Sequence, residues 1–252
     1  MSDTPAAPVH VILGATGGIG SALTRQLAAE GATLVLAARD AARLEALAGE
    51  VGATAVPTDA TDSAAVEALF DRAVEQHGRV DGAVHCVGSL LLKPAHRTTD
   101  EEWRAVLATN LDSAFHTVRA ATARMQRSGG GAIALTSTVA ARLGMNHHEA
   151  IAAAKGGVIG LTLSAAASYA GKQVRVNCVA PGLIETPLTE RLTSNETSRK
   201  VSEGMHPLGH LGAPEDVARA LAWLVDPRQS FVTGQVLGVD GGMGSVQPRR
   251  SG

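Results

Sequence analysis

The stretch HVILGATGGIGSALTRQLAAE, residues 10–30, decides the fold. His10–Leu13 is a short, continuous apolar run, the pattern of a strand buried on both faces. It passes without a break into Gly14-Ala15-Thr16-Gly17-Gly18-Ile19-Gly20. Ile19–Glu30 follows with apolar residues at helical spacing, including Leu23 and Leu27. A strand, a glycine-rich turn and a helix open a βαβ unit. Glycines let the backbone turn tightly and approach a bound pyrophosphate, whose charge the helix N-terminus favours.

The same alternation runs outward along the chain. Further apolar runs lie at Thr33–Ala37, Ala53–Pro57, Gly82–Val87, Ala132–Thr136, Val174–Val179 and Gln235–Val239. Helical stretches at Ala41–Val51, Ser63–His77, Asp100–Arg127, Ala150–Ala170 and Pro214–Val225 separate them. Asp40, Asp62 and Thr99 stand where helix caps belong. Strand–helix alternation with right-handed crossovers predicts a doubly wound α/β parallel sheet of about seven strands. Without repeats or low-complexity linkers, residues 1–252 read as a single domain, with loose ends at Met1–Pro8 and Ser245–Gly252.

Composition narrows the function. With 22 basic and 24 acidic residues the net charge is −2, which leaves no electrostatic footprint for nucleic acid or an anionic membrane. No apolar run approaches the ~20 residues of a membrane helix. The opening MSDTPAAPVH lacks the basic start and apolar stretch of a secretion signal. Two cysteines exclude a disulfide scaffold and fit a reduced, cytoplasmic setting. Aromatics make up only 2% of residues, so Ala, Val, Leu and Ile must build the core.

The end of the second strand, Leu36-Ala37-Ala38-Arg39-Asp40, should reach the adenine ribose. An acidic residue closing that strand would accept from a ribose 2′-hydroxyl and repel a 2′-phosphate. Here Ala38 is small and neutral, and Arg39 offers a guanidinium that matches a phosphate. NADP(H) is therefore expected over NAD(H). Asp40 reads as the cap of the next helix and Arg43 as a surface charge, with a second phosphate contact as its other reading.

Taken together, residues 9–243 resemble the short-chain dehydrogenase/reductase family, which implies a Rossmann-type fold. The match runs through the glycine loop, Asp59-Ala60 after the third strand, and His85-Cys86-Val87-Gly88 as a degraded form of the Asn-Asn-Ala-Gly motif. It continues through Asn110, the stretch Pro181-Gly182-Leu183-Ile184-Glu185-Thr186 and the last strand into Asp240. The resemblance implies that Gly14, Thr16, Gly17, Gly18, Ile19, Gly20, Arg39, Asp59, Ala60, Gly88, Asn110, Lys155, Pro181, Gly182, Ile184 and Thr186 bind the dinucleotide. It also implies a substrate loop at 183–212, expected to be a mobile lid, and a homo-oligomer, a dimer or tetramer, pairing Asp100–Arg127 and Ala150–Ala170 across dyads.

The family's catalytic set is Asn, Ser and a Tyr-x-x-x-Lys pair. Asn110 and Lys155 match, but Ile151 stands where the tyrosine belongs. Thirteen residues earlier is Thr138, with Ser137 beside it, so either hydroxyl fills the serine's place. Isoleucine has no proton to give, and a positioned general acid is worth ~10²–10⁴-fold. The only tyrosine, Tyr169, lies 18 residues on, about 27 Å along the same helix, and reads as packing. His147 and His148 are candidate acids, because histidine titrates near neutral pH; exposure before a helix is their other reading. Water held by Thr138 and Lys155 is another possible source. Glu149 reads as a first-turn residue. Adjacent histidines diverge and no third ligand is evident, so no metal site is expected. Cys86 and Cys178 fall in predicted strands as core residues, and His85 either touches adenine or ribose or closes its strand.

Two functions follow as expectations. One is an NADP(H)-dependent oxidoreductase with an incomplete catalytic set, passing hydride to a small carbonyl, a quinone or an activated alkene. The other is an inactive or weak NADP-binding pseudoenzyme acting as a sensor or partner subunit. A non-redox enzyme using the nucleotide structurally is a third.

Overall fold

The computed structural model describes residues 7–247, so most of the two ends expected to be loose lies outside it. Seven strands form one parallel sheet: β1 (Val9–Leu13), β2 (Thr33–Ala38), β3 (Thr54–Pro57), β4 (Gly82–His85), β5 (Gly131–Thr136), β6 (Val174–Pro181) and β7 (Val236–Val239). Their order is β3-β2-β1-β4-β5-β6-β7. Each falls within two residues of its predicted run. The continuous apolar runs have a simple cause, because the sheet is covered on both sides. Val11, Leu13, Val35 and Ile133 face one core with α3 (Ser63–His77), α5 (Ser113–Met125) and α6 (Glu149–Tyr169). Ile12, Leu36, Val84 and Ala134 face a second with α1 (Gly18–Ala29), α2 (Ala41–Val51) and α9 (Pro214–Val225).

The predicted caps hold. Asp40 accepts from the Arg43 amide at 3.1 Å, Asp62 from the Ala64 amide at 2.8 Å, and Thr99 forms a capping box with Glu102. Tyr169 ends α6 and packs partly buried against the first core, as expected.

The structure corrects three expectations. The helix predicted across Asp100–Arg127 is broken into α4 (Asp100–Leu107), a π-helical turn (Ala108–Asp112) and α5. The wide turn carries Asn110, the position where functional π-turns are found. Second, the polar segment after β6 is not bare loop. It holds α7 (Glu190–Thr193) and α8 (Glu196–Met205), the latter capped by Asn195 and braced by Arg199–Glu203 and Lys200–Glu196 pairs. Third, Glu149–Lys172 is long and apolar enough to cross a bilayer by length and composition. Its inner face packs on β5 and β6, with Val158 fully buried, and its outer face carries half-exposed Leu163.

β1 pairs with β2 on one side and β4 on the other, which makes it the point where strand order reverses. Register keeps the C-terminal ends level: Leu13 stands opposite Ala37 and His85, and His85 opposite Leu135. Crevices at such switch points are where ligands bind in open α/β sheets.

Candidate active site

A cavity of about 440 Å³ opens at this switch point. One wall is the glycine loop. Gly14 has φ +76°, and a Cβ there would lie 2.8 Å from the Cys86 carbonyl carbon. A Cβ on Gly20 would sit 2.2 Å from the Gly14 oxygen. Both positions therefore need glycine for the loop to close at all. Gly17 caps α1 without a side-chain bond, so the first amides of the helix, at Gly18, Ile19 and Gly20, open onto the cavity. That is a ready anion site.

The opposite wall comes from β4, β5, the π-turn and α6. Asn110 is fully buried. Its amide nitrogen donates to the Val106 carbonyl at 3.0 Å and to Ser89 Oγ at 2.9 Å, and its oxygen accepts from the Ser89 amide. Ser89 is a partner that no motif announced. Lys155 Nζ donates to the Thr136 carbonyl at 2.8 Å, which leaves two N–H donors for the cavity. Burial lowers its pKa to about 8.

The two hydroxyl candidates separate. Ser137 Oγ donates to the Lys155 carbonyl at 2.8 Å and so braces β5 against α6. Thr138 Oγ1 only accepts, from the Ala140 amide at 3.3 Å, and keeps its proton for the cavity it lines. The two histidines separate as well. His147 is exposed and outside the cavity lining, whereas His148 lines it. Ile151 lines it one turn further along α6, packed with Val106, Ala150 and Ala154.

Gly88, Pro181, Gly182, Ile184 and Thr186 complete the lining, together with His206 from the segment after α8. His206 is buried. Its Nδ1 bonds the Ser202 carbonyl at 2.7 Å and its Nε2 accepts from the Leu183 amide at 3.2 Å, pinning the segment beyond β6 onto the site. Thr186 is held by Thr189, whose Oγ1 accepts from the Thr186 amide. Leu90, Leu92, Val139, Met145, Leu188 and Leu192 make the rest of the cavity apolar.

Other expected residues stand outside the cavity. Gly14 lies behind the loop, and Ala60 is buried, with its carbonyl bonded to His116. Arg39 and Asp59 are exposed at the ends of β2 and β3. The Thr61 amide and hydroxyl hold the Asp59 carboxyl below its usual range, and the Arg39 charge adds to this. Thr16 is occupied by a neighbour: its carbonyl accepts from Arg43 at 3.0 Å. Arg43 is exposed, as its reading as a surface charge expects, and through this bond also lies across the glycine loop.

In the degraded motif His85 closes β4, one of its two readings, and the reading of Cys86 is corrected. His85 does not reach the cavity. It is fully buried, bonded through Nε2 to Ser113 Oγ at 2.8 Å, with Nδ1 unpartnered. Cys86 is not a strand residue; it follows β4 and lines the cavity, and burial pushes its thiol up to about 12. Cys86 and Cys178 are both free. No group of three metal-ligating side chains occurs among the described residues.

Comparison with known proteins agrees with this layout. Residues 14–244 match the family model described as enoyl-(acyl carrier protein) reductase. The 3-oxoacyl-[acyl-carrier-protein] reductase of Thermotoga maritima is 36% identical over 240 residues, covering 93% of this chain and 97% of the relative. A short-chain type dehydrogenase/reductase from Mycobacterium ulcerans superposes with a TM-score of 0.91 at 31% identity, covering 94% of this chain and 89% of that one. The structure of ElxO with NADP bound superposes with a TM-score of 0.88 at 28% identity, covering 94% and 98%.

Proposed function

Because the chain belongs to the short-chain dehydrogenase/reductase family, we propose that it is an NADP(H)-dependent oxidoreductase that works without the family's tyrosine. The observation that carries this reading is the convergence of the Gly18–Gly20 amides, Asn110, Thr138 and Lys155 on one cavity, with Ile151 on the same wall. The residues fit a dinucleotide: the loop tolerates no Cβ at Gly14 or Gly20, and Lys155 has donors to spare. When bound, the reduced dinucleotide supplies a hydride from its nicotinamide ring.

The chain's own residues do the rest. The amides of Gly18 and Ile19 hold the pyrophosphate, Arg39 meets the ribose 2′-phosphate, and Asp59 borders the adenine. Lys155 donates to the nicotinamide ribose and Thr186 to its carboxamide. Thr138 donates to the substrate oxygen. Asn110 fixes the π-turn and the Gly88–Ser89 backbone behind it. The apolar walls favour a small, uncharged carbonyl, quinone or activated alkene, substrates whose reduction leans least on an acid. Half-exposed Phe115 and Leu163, on α5 and α6, support a homo-oligomer built on those helices. Free thiols support a cytoplasmic setting.

Calorimetric titration tests the cofactor side. NADPH is expected to bind at micromolar concentration and NADH much more weakly. A charge-assisted bond is worth about 1.5–3 kcal/mol, so Arg39→Ala should weaken NADPH roughly 10–100-fold and leave NADH unchanged. Equal binding of NADPH and NADH by the native chain would contradict the role of Arg39. Ile151 also favours a second reading, a dinucleotide sensor without turnover; such a protein would bind NADPH and never oxidise it.

A further inference from the structure

We propose that His148 is the proton donor of this cavity, supplying what Ile151 cannot. The inference rests on the oxidoreductase reading and concerns the same site. Three observations carry it. His148 caps α6 one turn before Ile151, a spacing that places both on neighbouring positions of one helix face, and both line the cavity. Its ring is already oriented: Nδ1 lies 2.6 Å from the Asn146 carbonyl, a contact that only Nδ1–H can make favourably. Nε2 has no partner among the described residues and is left for the cavity, the arrangement in which one nitrogen is held so that the other can exchange a proton.

The third observation is the turn that brings it there. His147 has φ +62°, a left-handed conformation that a side chain other than glycine rarely adopts. Its carbonyl accepts from the Lys93 amide at 2.8 Å, tying the turn to the segment before α4. Such backbone is strained and concentrates at functional sites. Here its consequence is visible, since it turns His147 outward and His148 inward.

The other titratable groups lining the cavity are engaged or unsuited. Lys155 is bonded to Thr136 and faces the ribose site; Cys86 carries a thiol that burial keeps protonated; His206 uses both nitrogens. Close to His148, Glu149 is exposed and Lys93 is paired with Glu102 at 2.7 Å.

In the reduction, the C4–H bond of the bound reduced nicotinamide would break and supply the hydride that forms a C–H bond at the carbonyl carbon, oxidising the dinucleotide as the carbonyl is reduced. The π pair of the C=O bond moves onto oxygen, and the Nε2–H of the His148 imidazolium forms the O–H bond. The imidazole is left neutral and a solvent proton restores it.

Single-turnover oxidation of bound NADPH by cyclohexanone and by 9,10-phenanthrenequinone tests this in the native chain, His148→Gln, His148→Ala and His147→Asn. His148→Gln should slow turnover about 10²-fold, with NADPH affinity unchanged. Added imidazole should restore rate to His148→Ala, and His147→Asn should behave as the native chain. A second readout needs no turnover: cyclohexanone added to the NADP-bound protein should shift the His148 Nε2 resonance in 15N NMR. Turnover in His148→Gln equal to the native rate would overturn the proposal, as would a bound ketone that leaves Nε2 unmoved. Absence of turnover in every form, native included, would overturn the oxidoreductase reading itself, and the Nε2 shift would still decide His148.

Discussion

Added to His148→Gln, Ile151→Tyr is expected to raise the rate of cyclohexanone reduction by about 10²–10⁴-fold, the usual contribution of a positioned general acid, and to raise the native rate by less, because His148 already supplies a proton there. The place is prepared for it. Position 151 lies one helical turn before Lys155, and both line the cavity beside Thr138. Ile151 is only 4% exposed, but the side of it not packed on Val106, Ala150 and Ala154 faces a cavity of about 440 Å³, which is room for a ring. The cationic Lys155 would favour the ionised phenol and so bring its proton within reach. NADPH affinity should stay put, because no residue assigned to the dinucleotide changes. The gain should also make His148 dispensable, so that His148→Gln costs far less in the Ile151→Tyr background than alone. A folded Ile151→Tyr protein that binds NADPH and reduces the ketone no faster would show that the acid is not what limits this chain.

The second large effect is acid lability, and it arises outside the cavity. His10 in β1 and His85 in β4 are both buried, each with Nδ1 unpartnered. At His85 the reason can be traced. Ser113 Oγ donates to the Thr109 carbonyl at 2.6 Å, so His85 Nε2–H donates to Ser113 and Nδ1 is left as a bare lone pair. Burial lowers the pKa of His10 from 6.5 to about 4; burial, with the charge of Lys155 behind it, lowers that of His85 to about 3. These are bases depressed by folding, so the unfolded chain takes up protons first. Stability is fully present above pH 6.5 and is lost as pH falls through the window from 6.5 to about 4. Each histidine contributes about 1.4 kcal/mol per pH unit within that window. Between pH 7.5 and 5 the loss should reach roughly 4 kcal/mol, read by urea denaturation. The double variant His10→Gln, His85→Asn should flatten that slope even if its plateau stability is lower. An equally steep slope in the double variant would assign the acid lability to other groups.

Much of the fold could be read from residue order because local and global demands coincide. A strand covered on both faces must be largely apolar on consecutive positions, as residues 11–13 and 132–135 are. The caps at Asp40, Asp62 and Thr99 mark helix starts by chemistry that needs only the neighbouring three residues. What stayed hidden was either conformational or distant. The π-turn at Ala108–Asp112 changes the backbone hydrogen-bond register without changing composition. Helices α7 and α8 bury no residue completely, so they show no apolar stripe to betray them. Leu183 and His206 meet across 23 residues, as Asn110 and Ser89 meet across 21, and no spacing rule links either pair.

The site shows the same division. Glycines 14 and 20 were identifiable because their need is steric and local, and Asn110 and Lys155 because an ordered series of motifs carried them. The choice between Thr138 and Ser137, and between His148 and His147, could not be made from neighbours of the same type. It depends on which hydroxyl the Lys155 carbonyl captures and on a single left-handed residue in the turn before α6. His85 carries two readings for a related reason: a polar residue at the end of β4 could face the cleft or the interior, and the position of Ser113 decides for the interior.

Hydride transfer in the native chain is the most direct test of this account. NADPH deuterated at the nicotinamide C4 would be mixed in single turnover with the ketone and the quinone, and the products analysed by mass spectrometry. Deuterium is expected at the carbinol carbon of the alcohol, formed slowly from the ketone, whereas the quinone, whose hydroquinone keeps no carbon-bound deuterium, should oxidise NADPH faster. NADPH bound at micromolar affinity with no deuterium delivered to the ketone and no oxidation by the quinone would contradict this account, and would leave a protein that holds the dinucleotide without using it.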